Sequence, residues 1–242
     1  MVKLKTAAVS LILVLLPIFS CSIMAASLED IQIMTEEYPP YNYRGDDGVV
    51  TGIAVDRLIA AYKKAGITLN INEVKMQPWP RAYRKLQVSD KHMLFSMTRT
   101  ASREKLFKWV GPISKTKITL IAKKDRNISI LSAEDLKQFV IGGILDDIGV
   151  QLVRDLIGFD ANILTTPHAK SLARMLELNR IDLWAYEENT AKYFFKRNNL
   201  NQANYESVYT LSEAELYFAF GIKTDTKIIE RLQKALDEVR GQ

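Results

Sequence analysis

The chain has 242 residues, 48% of them hydrophobic and 25% charged, an ordinary globular composition with enough length for one large domain or two lobes. Its net charge of +5 falls to +3 once Lys3 and Lys5 leave with an N-terminal leader, and the remaining excess is scattered, which argues against a nucleic-acid-binding face. Cys21 is the one cysteine, so the folded part has no disulfide, no cysteine nucleophile and no thiolate metal site.

Met1 to Lys5 form a basic start, Ala7 to Phe19 an apolar run, and Ala25-Ala26 a pair of small residues. Residues 1–26 therefore read as a secretory signal peptide, too short and wrongly flanked for a permanent span. Cleavage after Ala25 or Ala26 is the favoured processing. The alternative is acylation of Cys21 within the loose lipobox Ile18-Phe19-Ser20-Cys21, where Phe19 fits poorly. No later segment reaches transmembrane length, so a soluble protein exported to the periplasm is expected.

Asp30 to Thr35 alternates apolar and polar residues, predicting the first strand. Glu36-Glu37-Tyr38-Pro39-Pro40-Tyr41-Asn42-Tyr43 ends it, because the prolines bar further pairing and hold the tyrosines on a stiff loop. After a turn over 45–48, the spacing of Ile53, Val55, Leu58, Ile59 and Tyr62 predicts a helix over 52–62, stopped by Gly66. Leu69 to Val74 alternates as a second strand, and strand–helix–strand implies parallel pairing. Pro80 suits the first turn of the next helix. Trp79 is left at the C-terminal end of the strand, the edge where open α/β sheets bind ligands. It either lines a ligand or packs between lobes, and Arg81 adds a nearby cation.

Met93-Leu94-Phe95 enters the core, and Ser96-Met97-Thr98-Arg99-Thr100-Ala101-Ser102-Arg103 follows. Ser96 and Thr98, two apart on an extended backbone, face the same side. The planar guanidinium of Arg103 matches a carboxylate or phosphate. These are the parts of a small-anion clamp; the plain alternative is a strand-to-helix loop with a surface arginine.

Ile118 to Ala122 reads as a strand, and the polar stretch 123–127 as the first crossover. Ser132 and Asp135 form a capping box, and Phe139 to Gly143 opens a second strand–helix series. Asp146 and Asp147 suit a helix N-terminus, whereas as ligand contacts they would repel a carboxylate and attract a cation. A strand over 162–165 and a helix over 169–178 follow, with His168 at its start. His92 is distant in sequence, so no histidine metal site is expected. Arg180-x-Asp182 precedes the apolar Leu183 to Tyr186. Glu187 and Glu188 then read as an acidic helix start before the helix over 189–196. The second crossover falls near Tyr209 to Glu215, Leu216 to Lys223 is a buried strand returning to the first lobe, and 224–239 is the closing helix.

The hydroxyl-x-Thr of Ser96 and Thr98, the arginine five residues on, Phe107-Lys108-Trp109 and Gly111-Pro112 together resemble the first-lobe signature of periplasmic solute-binding proteins of family 3. These are the polar amino-acid receptors that feed ABC importers. Gly52-Ile53-x-x-Asp56 and the Arg180-x-Asp182 turn are similar to the same family, and the resemblance spans nearly everything after the leader. It implies an α/β, type 2 periplasmic-binding-protein fold: two lobes, each a mixed sheet flanked by helices, with two crossover strands at the hinge. Lobe 1 would be 27–121 and 216–242, and lobe 2 would be 122–215. The resemblance implies further that Tyr38 and Tyr41 stack on the ligand, that Trp79 sandwiches it, that Ser96, Thr98 and Arg103 hold its carboxylate, and that Glu187 takes its ammonium. The chain departs from the family at Asp146-Asp147, where receptors usually carry Gly-Thr/Ser-Thr.

The expected function is periplasmic binding of a small polar solute, an amino acid or related zwitterion, for delivery to an ABC importer by lobe closure. The candidate ligand-binding set is Tyr38, Tyr41, Trp79, Arg81, Ser96, Thr98, Arg103, Asp147 and Glu187. A monomer is expected, with no cofactor, no nucleic acid, and an inner-membrane ABC permease or membrane sensor as partner. The sensor role is one alternative. Another is an enzyme similar to the family's cyclohexadienyl dehydratases, with Glu187 as general acid and Asp146 or Asp147 as its partner. Against the latter, no nucleophile–base pair, metal motif or glycine-rich phosphate loop is legible.

Overall fold

The computed structural model describes residues 27–158 and 161–241; the leader and Cys21 lie outside them. The chain begins with β1 (Gln32–Thr35), a hairpin of β2 (Tyr43–Arg44) and β3 (Val50–Thr51), α1 (Ile53–Lys64), β4 (Lys75–Met76), α2 (Trp79–Gln87) and β5 (His92–Thr98). The long strand β6 (Phe107–Lys123) leads into a second series: β7 (Ile141–Ile144), α3 (Ile148–Ile157), β8 (Ile163–Thr166), α4 (Ala169–Glu177), β9 (Leu183–Glu187) and α5 (Glu188–Arg197). A second long strand, β10 (Tyr205–Gly221), returns before α6 (Thr226–Arg240).

The main sheet runs β4-β1-β5-β10-β6-β9-β7-β8. At its centre β6 and β10 pair antiparallel from Tyr205 opposite Lys123 to Gly221 opposite Phe107. On one side β1 pairs parallel with β4 and β5. On the other β7 pairs parallel with β8 and β9. Each flank is a strand–helix series that buries its sheet under its own helices, and the two long strands tie the flanks together as a two-lobed α/β fold. The second expected crossover, Tyr209 to Glu215, lies in the middle of β10 opposite Leu120 to Lys115. The first, 123–127, falls at the end of β6 and in the 3-10 turn Lys124–Arg126, past the stretch Ile118–Ile121 that already pairs with β9. The register of the β6–β10 ribbon shifts repeatedly between Ser207 and Phe218.

Three local readings are corrected. The stretch 69–74 is not a strand: Asn70 accepts a hydrogen bond from the Asn72 N–H at 3.2 Å and donates to Glu73 at 2.9 Å, closing a short 3-10 turn over Ile71–Glu73, because asparagine offers the backbone a local partner. Strand pairing begins only at Lys75. No helix follows Thr98; Arg99 and Thr100 are irregular and residues 101–106 are turns that run straight into β6. Nor do Ser96 and Thr98 lie on a plain extended strand, since Ser96 has φ 62° and the β5–β10 register slips between Phe95 and Met97, a bulge that re-aims the side chain. The Ser132–Asp135 capping box is present.

Two glycines set the geometry around the cleft. Gly52 has φ 125°, and a Cβ there would stand 2.5 Å from the Tyr41 carbonyl oxygen. The space it leaves lets Ile53 and Ala54, at the start of α1, donate to the carbonyls of Pro40 and Tyr41 at 3.1 and 2.8 Å, which fixes the tyrosine loop on a helix N-terminus. Gly149 lies against the Ala185 carbonyl, 2.4 Å from where its Cβ would be, so α3 sits directly on β9.

Candidate functional site

The strand ends of the two flanks face each other across a cleft. From one side come the loop after β1, the start of α2 and the turn after β5; from the other come the turn before α3 and the end of β9. Tyr38 and Tyr41 stack with ring centroids 5.4 Å apart, and Tyr38 meets Tyr186 edge-on at 5.8 Å. Asn42 organises this loop: its amide donates to the Glu36 carbonyl at 2.8 Å and its side-chain oxygen accepts the Ser96 hydroxyl. The Ser96 hydroxyl is therefore engaged in holding the loop.

Arg103 is 2% exposed. Its Nη1 donates to the Thr98 carbonyl at 3.3 Å and its Nη2 to the Asp146 carbonyl at 3.2 Å, while Nε has no partner. The guanidinium lies 5.5 Å from the centre of the Trp79 ring and 5.2 Å from that of Tyr83, a cation–π setting that tolerates a buried positive charge. Thr98 is buried and lends Arg103 its backbone oxygen. Trp79 is also buried, and its indole nitrogen donates to the Asp146 carbonyl at 2.9 Å.

Asp147 is the N-cap of α3 and is buried. Burial pushes its carboxyl upward, with the Arg103 guanidinium opposing and the α3 backbone assisting it. Glu36, at the end of β1, is held well above the usual carboxylate range by burial and then by the charge of Asp147, again opposed by Arg103. Burial likewise raises Glu187, which is 0% exposed. Both of its oxygens are engaged: one accepts the Thr190 N–H at 2.6 Å and hydroxyl at 2.9 Å, the other Tyr41 at 3.2 Å and Asn189 at 3.3 Å. It is the N-cap of α5.

The structure brings together Tyr38, Tyr41, Trp79, Ser96, Thr98, Arg103, Asp147 and Glu187 from the sequence-derived set. Arg81 stands apart, exposed on α2. Sequence reasoning missed Glu36, Asn42 and Tyr186. Glu36 sits directly beyond a strand C-terminus, the edge where α/β sheets gather ligand groups, and that position was the available signal. Tyr186 could have been found from β9, where side chains two apart share a face and Trp184 stacks on Tyr186 at 4.9 Å.

The flanks also touch directly. Besides the contacts at Asp146 and Glu187, the Thr190 hydroxyl donates to the Pro39 carbonyl at 2.7 Å and Gln151 bonds Ser102. The cleft is closed. Among the described residues, no helix is long and apolar enough to cross a membrane, and no three His, Cys, Asp or Glu side chains converge as a metal-ligand set.

The family model for bacterial extracellular solute-binding proteins, family 3, matches residues 31–242. No curated protein matches the chain. Among solved structures, a histidine kinase sensor domain with similarity to periplasmic binding proteins superposes with a TM-score of 0.75 at 17% identity, covering 87% of this chain and 90% of its own. An ancestral arginine-binding protein bound to arginine gives 0.74 at 22% identity, covering 89% and 94%. The arginine-, lysine-, histidine-binding protein ArtJ from Geobacillus stearothermophilus gives 0.73 at 19% identity, covering 87% and 90%. At these identities the likeness is one of fold.

Proposed function

Because the chain belongs to the bacterial extracellular solute-binding proteins of family 3, we propose that it captures a small polar solute, an amino acid or related zwitterion, in the periplasm and delivers it to an ABC importer by lobe closure. The observation that carries this reading is Arg103: a buried guanidinium with an unpaired Nε, at a cleft closed from both lobes. Burying an arginine without a carboxylate partner is costly, and an anionic group of a solute would supply that partner.

In this reading Arg103 and the Thr98 region hold the carboxylate, Tyr38, Tyr41 and Trp79 form the apolar walls, and Ser96 acts through Asn42. The lobes are 27–121 with 216–242, and 122–215, so the hinge lies in β6 and β10. Contacts from both lobes to one solute shift the open–closed equilibrium, and a permease reads the closed form. A second reading, docking of the closed form on a membrane receptor, is favoured by the likeness to a histidine kinase sensor domain; the partner alone distinguishes the two. Capture without chemical change fits a family of binding proteins.

Thermal unfolding of the mature protein against amino acids, amines and organic acids tests the proposal. A solute at a hundred times its dissociation constant adds about 2.7 kcal/mol, a clear upward shift, and Arg103→Ala removes it. A panel without a shift overturns the reading, as does consumption of a prephenate-like acid.

A further inference from the structure

Four cations gather on the flank that carries α4 and α5. Lys170, Arg174, Arg180 and Arg197 line one groove of about 620 Å³, to which Met175 and Leu178 add apolar surface. All four cations are exposed, and among the described residues no acid lines the groove. Lys170 and Arg197 also border the neighbouring cavity between the flanks. Arg174 and Arg180 do not, and no residue of the sequence-derived binding set lines the groove.

Two helix ends bring the four together. Lys170 and Arg174 stand one turn apart on α4 and share a face. Asn179, with φ 53°, turns the chain back so that the Arg180 N–H donates to the Met175 carbonyl at 2.9 Å, a left-handed helix ending that returns Arg180 to the flank of α4. Arg197 closes α5. Beside it the Asn198 amide donates to the Phe194 carbonyl at 2.8 Å and to the Lys170 carbonyl at 3.4 Å, which ties the end of α5 to the start of α4.

Among the described residues, none of the four belongs to an ion pair within 4.0 Å or donates a side-chain hydrogen bond. Arg197 lies 5.7 Å from the centre of the Tyr193 ring and within electrostatic reach of Glu37, without pairing with it. The acids of the same segments are engaged elsewhere. Glu177 accepts the Tyr205 hydroxyl at 2.6 Å, Asp182 pairs with Arg126 at 2.7 Å, and Glu188 pairs with Lys192 at 2.7 Å.

Helix dipoles explain half of this group. Cations are favoured in the last turn of a helix, where Arg174 and Arg197 stand, and not in the first turn, where Lys170 stands. Lys170 and Arg174, four positions apart, also repel each other. Both costs are offset when an anion occupies the groove. Arginine forks and a lysine ammonium are the donors that phosphate groups call for. Leu178, 55% exposed, offers an apolar patch to the organic body that carries the phosphate. The volume is that of a small-molecule site, about 300–1,000 Å³.

We infer that the groove between α4 and α5 binds a phosphate-bearing organic anion, held by Lys170, Arg174, Arg180 and Arg197 over Leu178, at a site additional to the cleft. Two sources offer this chemistry, the headgroup of an anionic phospholipid and a soluble phosphate ester. The inference does not depend on which solute the cleft takes.

Two assays of the mature protein test it: flotation with vesicles of phosphatidylcholine, alone or mixed with phosphatidylglycerol, and calorimetric titration with glycerophosphate. The expected result is binding to the mixed vesicles, to glycerophosphate or to both, and none to phosphatidylcholine alone. Binding to vesicles without glycerophosphate identifies the lipid as the source; binding of glycerophosphate identifies a soluble ester. Arg174→Gln and Arg180→Gln should each weaken the interaction roughly fivefold while melting with the parent, and Lys170→Gln repeats the measurement at the other end of the groove. Affinity unchanged in all three variants overturns the site. So does binding that is lost in Arg103→Ala and kept in Arg174→Gln, which would put the anion in the cleft. A polyglutamate peptide that binds as tightly as the phosphate probes would assign the groove to protein carboxylates instead. No binding of any probe at low ionic strength, where surface charge is least screened, also overturns it.

Discussion

The indole nitrogen of Trp79 donates to the backbone carbonyl of Asp146 at 2.9 Å. The two residues stand on opposite lobes, 67 positions apart, and Arg103 reaches the same oxygen at 3.2 Å. One carbonyl at the start of α3 thus receives two donors from the facing lobe, both of which are available only when the cleft is shut. Trp79→Phe keeps an aromatic wall and removes one donor. A hydrogen bond of this kind contributes about 0.5–1.5 kcal/mol, so a bound solute should dissociate roughly three- to tenfold more readily. The unliganded protein should also open, which small-angle scattering reads as a larger radius of gyration. Unchanged affinity and radius would show that the latch contributes nothing to closure.

Arg103→Lys isolates the shape of the cation from its charge. Lysine keeps one positive charge near Glu36 and Asp147 but loses the planar fork and its stacking against Trp79 and Tyr83, where arginine and lysine are not interchangeable. Affinity for a carboxylate-bearing solute should drop by at least about tenfold, a loss of roughly 1.4 kcal/mol. Affinity for putrescine, which has no carboxylate, should change far less. Equal losses for both probes, measured by calorimetry, would separate Arg103 from the carboxylate.

Gly52→Ala should damage the tyrosine loop from outside the cleft. A Cβ at this φ of 125° would meet the Pro40 and Tyr41 carbonyl oxygens at 2.7 and 2.5 Å, so backbone has to move. Strain of about 1–3 kcal/mol is expected from the dihedral, with a similar amount from the clash. The melting temperature should fall by several degrees, and solute affinity should fall too, because Tyr38 and Tyr41 ride on the displaced segment. A variant that melts with the parent would show that the loop relaxes freely.

What the sequence disclosed follows from which signals are local. Alternation located β1, helical spacing located α1 and α6, and the turn chemistry of Ser132 and Asp135 located a capping box; each depends on residues a few positions apart. Arginine beside hydroxyls carries its chemistry in the residue type, so Ser96, Thr98 and Arg103 could be picked out as candidates, although the Ser96 hydroxyl bonds Asn42 and Thr98 offers Arg103 its backbone oxygen. Ser96 was misread in detail because its bulge is set by pairing with Phe218 and Tyr217, more than a hundred residues away. The strand expected over 69–74 failed because the alternation concealed Asn70, whose side chain bonds its own neighbours. Glu36 and Tyr186 were invisible for another reason: a carboxylate at a strand end is unremarkable until the fold sets Asp147 opposite it. Glu187 meets Tyr41 across the lobes, and sequence could not show how fully α5 would occupy its oxygens.

Glu36 also gives the protein a pH signature whose sign is fixed. Burial and the charge of Asp147 raise its folded-state pKa, with Arg103 opposing. Asp147 on α3 and Glu187 on β9 are raised mainly by burial; Tyr38 and Tyr186 complete the ionisable surroundings and stay neutral as their phenols are pushed up. A carboxyl raised on folding binds more protons in the native state than in the unfolded one. Its contribution is complete below the unfolded value, about 4.3 for glutamate, and is lost as pH rises through the folded value. The contribution of Glu36 to the unliganded parent should therefore shrink as pH rises above about 4, which urea unfolding of the parent and of Glu36→Gln at a series of pH values reads as a difference between the two. Glu36→Gln removes the first of these groups and leaves Asp147 without its like-charged neighbour, so its stability should fall less steeply and exceed that of the parent at pH 7. Parallel stability profiles for the two proteins would mean that Glu36 is solvated in solution.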